Sequence, residues 1–276
     1  MSIVLNVSDE EVASLAQSIL IRYGIDFTCY EPNSLKRRII RLLHVFGLNS
    51  VHELWLRILH ERSFIDAFIN GISVGMTSMF RDPVFWKNMK QTLIRYKGDS
   101  SGLSIWHAGC STGEEVYSLG IVLDEVGLLP RTTAIASDIS QSALEEAKKG
   151  VYHKIKMIEN ENNFKEYNPF VRFSNYYHAM DGKHVKMQDQ LVQHVAFQCH
   201  NLISDAFERK YDFILCRNVM IYFDAGAKQA LLQKFYDSLN PGGYFIIGFY
   251  DTMLPMIEKK LFTLVDAEAK IFQKTV

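Results

Sequence analysis

Cysteine is scarce in this sequence: four residues in 276, at Cys29, Cys110, Cys199 and Cys216, with no Cys-x-x-Cys pair among them. Thiols so scattered argue against a disulfide framework. With nine histidines but no His-Glu-x-x-His, no metal site is expected either. Long apolar runs are also missing. Stretches such as Tyr244-Phe-Ile-Ile-Gly-Phe-Tyr250 fall far short of the roughly 20 residues that cross a bilayer, so membrane insertion is not expected. Neither sign of charge dominates, with 30 Lys and Arg against 31 Asp and Glu. No global field therefore suits a nucleic acid, and any steering must come from a local patch. Six prolines and 16 glycines, with 48% hydrophobic residues, exclude collagen-like and disordered classes. The start of the chain turns acidic at Asp9-Glu10-Glu11 without the basic stretch of a secretory signal, and the expected location is the cytoplasm.

What is present falls into two regions of different periodicity. Up to about residue 75, apolar residues recur at helical spacing. Ser8 and Glu11 form a capping-box pattern opening a helix that carries Val12, Leu15, Ala16, Ile19 and Leu20 and ends at Gly24. A second helix runs from about Asn33 to Gly47. Ser50 and Glu53 repeat the capping pattern for a third, and a fourth spans Ser63 to Asn70. From about residue 103, short apolar runs alternate with amphipathic segments. Strands are expected at Leu103 to Ala108, Thr133 to Ala136, Tyr211 to Cys216 and Gly243 to Phe249. Helices are expected at Glu114 to about Val126, Ser140 to Lys149 and Ala225 to Leu239, the last closed by the Asn240-Pro-Gly-Gly turn. Such alternation implies a parallel α/β sheet, with ligands at the carboxyl ends of its strands. Residues of about 163–200, with an Asp181-Gly182 hairpin signal and a strand-like Val195 to His200, read as a small β excursion.

Chemistry enters at the first strand-to-helix turn, Gly109-Cys-Ser-Thr-Gly113-Glu-Glu115. Small residues there let backbone amides approach a ligand, although a tight packing turn would look the same. Asp138 ends the next strand 29 residues after Gly109, where a carboxylate can accept both hydroxyls of a ribose or simply cap the helix that follows. The loop also matches Gly-x-Ser-x-Gly. A serine hydrolase, however, needs a histidine late in the chain, and the last one here, His200, precedes the strand at residue 211. Cys110 as a nucleophile has no evident histidine partner. A dinucleotide site lacks its Gly-x-Gly-x-x-Gly, and Glu114 with Glu115 would repel a pyrophosphate. S-adenosylmethionine, cationic and free of phosphate, meets these constraints.

Four blocks then carry a resemblance: Met76-Thr-Ser-Met-Phe-Arg-Asp-Pro83, Gly109-Cys-Ser-Thr-Gly-Glu-Glu-Val-Tyr-Ser118, Ala136-Ser-Asp-Ile-Ser140 and Cys216-Arg-Asn-Val-Met-Ile-Tyr-Phe-Asp224. In order and spacing, over nearly the whole chain, they resemble the bacterial chemotaxis receptor glutamate methyltransferases. The resemblance implies a small all-helical N-terminal domain, residues 1–75, and a Rossmann-like methyltransferase domain, residues 76–276. The second would include a linker over 76–100 and an inserted β-subdomain at about 163–200. It implies S-adenosylmethionine as cofactor, S-adenosylhomocysteine as product, and Thr77, Arg81, Gly109, Glu115, Asp138, Asn201, Leu202, Arg217 and Asn218 as cofactor-lining residues. Arg81 and Tyr222 would flank the reacting carboxylate as catalytic residues. A chemoreceptor's cytoplasmic helical bundle is the implied partner, and its glutamyl methyl esters the implied product.

The chain departs from the family at three places. Ser73-Val-Gly-Met76 stands where the family usually has Thr-Thr-Asn-Glu, an expected cost to cofactor affinity. Gly248-Phe-Tyr-Asp251 stands for the common Gly-His-Ser-Glu and is expected to alter the rim of the site. Only His178, Ala179 and Met180 separate Tyr177 from Asp181, leaving no glycine-rich insert of the kind that binds a receptor's C-terminal tether, so tethered recruitment is not expected. From Lys36 to Arg62, six basic side chains (Lys36, Arg37, Arg38, Arg41, Arg57, Arg62) face two acidic ones, Glu53 and Glu61. Arg37, Arg41 and His44 share a helical face. This segment reads as a docking surface for an acidic helix bundle or as a solvated face with no partner. A sensor or scaffold that keeps the fold without efficient catalysis is the alternative function, and methylation of a small-molecule carboxylate a third.

Overall fold

The structure, a computed structural model, describes residues 7–61, 63–73, 77–96, 102–207, 209–251, 257 and 261–275. Four helices come first: α1 (Asp9–Tyr23), α2 (Pro32–Phe46), α3 (Val51–His60) and α4 (Phe64–Ile72). The Ser8/Glu11 capping box is reciprocal, with the Ser8 amide donating to Glu11 Oε2 at 2.8 Å and the Glu11 amide to Ser8 Oγ at 3.1 Å. The second pattern is only half of one, because Glu53 turns to the Asn49 amide at 2.8 Å instead of that of Ser50. Glu31 caps α2 through Asn33 N and Ser34 N, with Pro32 at its start. The inward faces of the four helices, among them Leu15, Ile19, Leu43, Leu54, Ile58 and Phe68, close on one another as a separate core.

Next come α5 (Pro83–Arg95), β1 (Leu103–Ala108), α6 (Glu114–Glu125), β2 (Thr132–Asp138), α7 (Gln141–Lys149), β3 (Val151–His153), α8 (Lys154–Tyr167), β4 (Tyr177–Ala179), β5 (His184–Met187), β6 (Val195–Cys199), β7 (Tyr211–Cys216), α9 (Ala225–Asp237), β8 (Leu239–Ile247), β9 (Phe262–Asp266) and β10 (Ile271–Lys274). Seven strands form one sheet in the order β6-β2-β1-β7-β8-β10-β9. Its first five are parallel, and β10 runs antiparallel to both of its neighbours. The strand order reverses between β1 and β7, which opens a crevice beyond their carboxyl ends. No helix among the described residues is long and apolar enough to cross a membrane.

Four readings from the sequence change. The stretch expected to be a linker over 76–100 contains α5, whose Phe85, Trp86, Met89 and Leu93 are buried in the main core. The small sheet, β3-β5-β4, begins at Val151, and α8 sits inside it. Asp181 does make the hairpin, accepting from Lys183 N and His184 N at 2.7 and 2.6 Å. Val195–Cys199 belongs not to the excursion but to the central sheet beside β2, so the insert closes earlier than residue 200. Finally, Leu239 leaves the helix and starts β8. The Asn240-Pro-Gly-Gly segment is absorbed as an irregular register against β7 between Tyr211 and Phe213.

Candidate active site

All the parallel strands send their following loops to one end, and there a cleft of about 270 Å³ opens. Thr77, Arg81, Gly109, Glu115, Asp138, Asn201, Leu202, Arg217, Asn218 and Tyr222 all line it. Its elements arrive in a fixed order: the segment before α5, the turn after β1, the end of β2, the loop after β6 and the turn after β7. Gly109 is dictated locally, since its φ is +85° and a Cβ there would sit 2.4 Å from Val219 Cγ2. Phe80, Asp82, Ser111 and Asn218 also hold left-handed backbone, with φ between 50° and 60°. Such strain in non-glycine residues gathers where surrounding structure fixes a site.

Asp138 accepts from Ser111 N at 2.8 Å through Oδ2 and from Ser140 N at 3.0 Å through Oδ1. It therefore ties the glycine loop to the start of α7 while keeping lone pairs toward the cleft. Burial pushes its carboxyl above the usual range, and the Ser140, Ser111 and Ile139 amides oppose that rise. Glu115 is held from two sides, by His107 Nδ1 at 3.0 Å and Arg217 Nη1 at 3.3 Å. Burial would raise it, but the His107 bond and the Arg217 charge outweigh that effect and hold its carboxyl below the ordinary range. Arg217, its side chain 3% exposed, also donates to Asp82 Oδ2 at 2.8 Å and lies 3.9 Å over the Phe85 ring. It clamps the segment before α5 onto the end of β7. Cys110 is buried, and desolvation, with the Asp138 and Glu115 charges, drives its thiol well up and leaves it a poor nucleophile.

Several lining residues were not predicted as site residues, although Ser73 opens the Ser73-Val-Gly-Met76 segment expected to bear on cofactor affinity. Asp26, Tyr30, Asn70 and Ser73 come from the helical bundle. Asn70 Oδ1 receives the Ser140 hydroxyl, Glu31 N donates to the Tyr222 carbonyl at 2.9 Å, and Asp224 N donates to the Cys29 carbonyl at 2.9 Å. Tyr30 pairs with Phe223 across an isolated bridge, with ring centroids 5.2 Å apart. The bundle thus closes one wall of the cleft. Only the Asp-Ile-Ser140 block hinted that α7's cap belonged here.

The basic segment does not act as one surface. Arg38 is buried, donates to the Ile72 carbonyl, and places its guanidinium 4.1 Å over the Tyr222 ring. Lys36 pairs with Asp9 at 2.7 Å, Arg57 with Glu61 at 3.3 Å, and Arg41 donates to the Gly71 carbonyl. Arg37, Arg41 and His44 are exposed on one face of α2. Arg62 lies outside the described residues, as do Val74, Gly75 and Met76. Asp251 does not belong to the rim, being buried beneath the turn after β7, whereas Phe249 and Tyr250 are 63% and 61% exposed.

A doubly wound sheet with a lined crevice at its switch point, one carboxylate at the end of β2 and another in the first turn of α6, defines an α/β domain that binds a nucleoside-bearing cofactor. Comparison with known proteins sharpens the class. Residues 75–271 match the "CheR methyltransferase, SAM binding domain" and residues 10–73 the "CheR methyltransferase, all-alpha domain". The chain belongs to the CheR methyltransferase family, and its cofactor is S-adenosylmethionine. Among its relatives, the "Putative methyltransferase Cher3" of Pseudomonas putida is 34% identical over 241 residues, covering 87% of this chain and 88% of the relative. The "Chemotaxis protein methyltransferase" of Listeria innocua is 31% identical, covering 87% and 89%. The Escherichia coli protein of the same description is 30% identical, covering 88% and 85%. Among solved structures, the plantazolicin methyltransferase BpumL in complex with SAH aligns over 68% of this chain and 52% of that one, at 15% identity and a TM-score of 0.35.

Proposed function

We propose that this methyltransferase transfers methyl groups to glutamate side chains on the cytoplasmic helices of a chemoreceptor. The observation that supports this reading best is that Arg81 and Tyr222 meet at one cleft with Asp138 and Glu115, Tyr222 being braced by the Arg38 guanidinium at 4.1 Å. The residues fit the cofactor. Asp138 keeps acceptor capacity for ribose hydroxyls, Glu115 offers a carboxylate held ionised, and the Asn218 Nδ2 is buried with no hydrogen-bond partner among the described residues, a donor awaiting an acceptor. Thr77, Gly109, Asn201, Leu202 and Arg217 complete the wall.

S-adenosylmethionine, when bound, supplies an electrophilic methyl on a sulfonium. A glutamate has an ordinary pKa near 4.3, so at neutral pH its carboxylate is already nucleophilic and no general base is needed. The protein has to align and desolvate. Orientation of this kind can supply on the order of 7–11 kcal/mol of barrier reduction at best. Arg81 and the Tyr222 hydroxyl would hold one carboxylate oxygen and leave the other free to take the methyl, which the bound cofactor would supply from its sulfonium sulfur. The products are a glutamyl methyl ester and S-adenosylhomocysteine.

The reading is tested with radiolabelled methyl and a receptor cytoplasmic fragment. Label on the fragment that leaves as methanol in base supports it, and tight cofactor binding without label would favour a sensor. Tyr222→Phe keeps the ring beneath Arg38 and removes one hydroxyl. It should lower turnover at least tenfold while leaving S-adenosylhomocysteine affinity within a few-fold, and wild-type turnover would remove the phenol from the chemistry.

The receptor would dock against the exposed face of α2. Methylation should then fall as salt rises, since exposed charges are screened over about 10 Å at 0.1 M, while cofactor binding responds little. Arg37→Glu should raise the receptor KM several-fold at low salt. Arg37 is exposed, so the helix should stay folded. An unchanged KM would leave Arg37, Arg41 and His44 as a solvated face only.

A further inference from the structure

The turn after β7 carries Arg217, Asn218 and Tyr222, and one group beneath it accounts for its shape. Asp251 is 2% exposed. Its Oδ2 accepts from Asn218 N at 2.7 Å and from Gly248 N at 2.7 Å, and its Oδ1 accepts from Ile221 N at 3.1 Å. These three amides follow two parallel neighbours, β7 and β8, whose pairing ends at Cys216 and Ile247. Beyond that point no sheet bond among the described residues holds them. Asn218 sits at φ 60°, a conformation costly for a side chain-bearing residue, and the Asp251 bond offsets it. Gly248 must be glycine for the same contact, because a Cβ there would lie 2.7 Å from Asn218 N.

We propose that Asp251 is the positioning residue of this site: its buried carboxylate sets Asn218 toward the cofactor and Tyr222 toward the substrate by fixing the turn between them. The proposal rests on the methyl-transfer reading for Tyr222, while the Asn218 half concerns cofactor binding alone. It also gives the departure at Phe249-Tyr-Asp251 a physical meaning. The acceptor lies below the turn, and the two aromatic residues before it are carried outward to the solvent.

The charge supports this assignment. Desolvation pushes the Asp251 carboxyl up to about 6, against the three amide bonds and the Arg217 charge that pull it down. The Cys216 thiol at the end of β7 feels the charges of both Asp251 and Glu115. A folded pKa above the unfolded value means that protonating this group adds stability to the fold. That contribution is full below about pH 4 and lost as pH rises through about 6. At neutral pH the carboxylate is therefore ionised and the fold lacks the stability that protonation would add, a cost of the kind found at functional sites. Protonation of Oδ1 would release the Ile221 amide and loosen the turn toward Tyr222.

The test uses the full chain as wild type, Asp251→Asn and Asp251→Glu. Turnover and S-adenosylhomocysteine affinity are measured from pH 5 to 8.5, with thermal unfolding recorded for each. In the wild type both quantities should fall as pH drops through about 6. Asp251→Asn should lower turnover at pH 8 at least tenfold, weaken S-adenosylhomocysteine several-fold, and lose that inflection. Asp251→Glu, which keeps the acceptor, should recover part of both. If Asp251→Asn does not fold, Asp251→Glu with the inflection displaced decides in favour. Variants that bind and turn over like wild type, or lose function only in proportion to unfolded protein, overturn the proposal. If wild type transfers no methyl, the methyl-transfer reading fails, and the affinity profile alone judges Asp251: an inflection absent from Asp251→Asn supports it, and identical profiles overturn it.

Discussion

Arg217→Met is expected to destabilise the protein by about 3 kcal/mol and to abolish measurable S-adenosylhomocysteine binding. Removing the guanidinium leaves two carboxylates, Asp82 and Glu115, without the cation that now touches them at 2.8 and 3.3 Å. Breaking a buried ion pair from one side costs about 3–5 kcal/mol because the remaining charge stays desolvated; Asp82 is a third exposed, so the lower figure applies. The methionine keeps packing on Phe85, which separates loss of charge from loss of volume. Glu115 also fixes the pH signature. Its folded pKa lies below the ordinary range, so its contribution is present above that range and disappears as pH falls through the folded value. The stability gap between wild type and Arg217→Met should therefore narrow in acid. Urea unfolding at two pH values with calorimetry on the ligand measures all three effects. Unchanged stability and affinity would reduce Arg217 to a cap on strand-end carbonyls.

Asp138→Ala should weaken S-adenosylhomocysteine binding by about 1.5–3 kcal/mol, roughly 10- to 150-fold, because a ribose would lose a pair of charge-assisted hydrogen bonds. Geometry adds a second route to the same loss. Asp138 accepts from Ser111 N and Ser140 N, so its removal also frees the glycine loop from the start of α7. Asp138→Asn separates the two, since its amide oxygen can still receive one backbone donor while the charge is gone. If Asp138→Asn binds like wild type and only Asp138→Ala is weak, the residue serves the loop and not the ribose. Equal losses in both point to the ribose.

The linear pattern announced much of this arrangement because much of it is local. Ser8 with Glu11, Gly24 and Gly47 mark helix ends through bonds spanning three or four residues. The turn at Gly109 and the carboxylate at Asp138 follow from a strand ending and a helix beginning. The family resemblance, and not local pattern, named Thr77, Arg81, Asn201, Leu202, Arg217, Asn218 and Tyr222, and the fold brings them to the same cleft as Gly109 and Asp138 because parallel strands stop together.

What the chain order could not decide is which distant groups those ends would meet. The period of α2 separates Arg38 from Arg37 only as one helical position from the next. It took the packing of α2 against α4 and the turn after β7 to bury one guanidinium over Tyr222 and leave its neighbour in solvent. Asp251 reads in sequence as a rim residue, and only the adjacency of β7 and β8 carries it under Asn218 and Ile221. Val195–Cys199 lies some 60 residues from β2, yet it joins β2 in the central sheet, a pairing whose partner no local periodicity can name. Local hydrogen bonding and apolar period, written in the order of residues, determined the elements and the cofactor turn. Burial and charge compensation between elements, which exist only once the chain is folded, decided which acids stay ionised, which arginines are structural, and how the helical bundle closes the cleft.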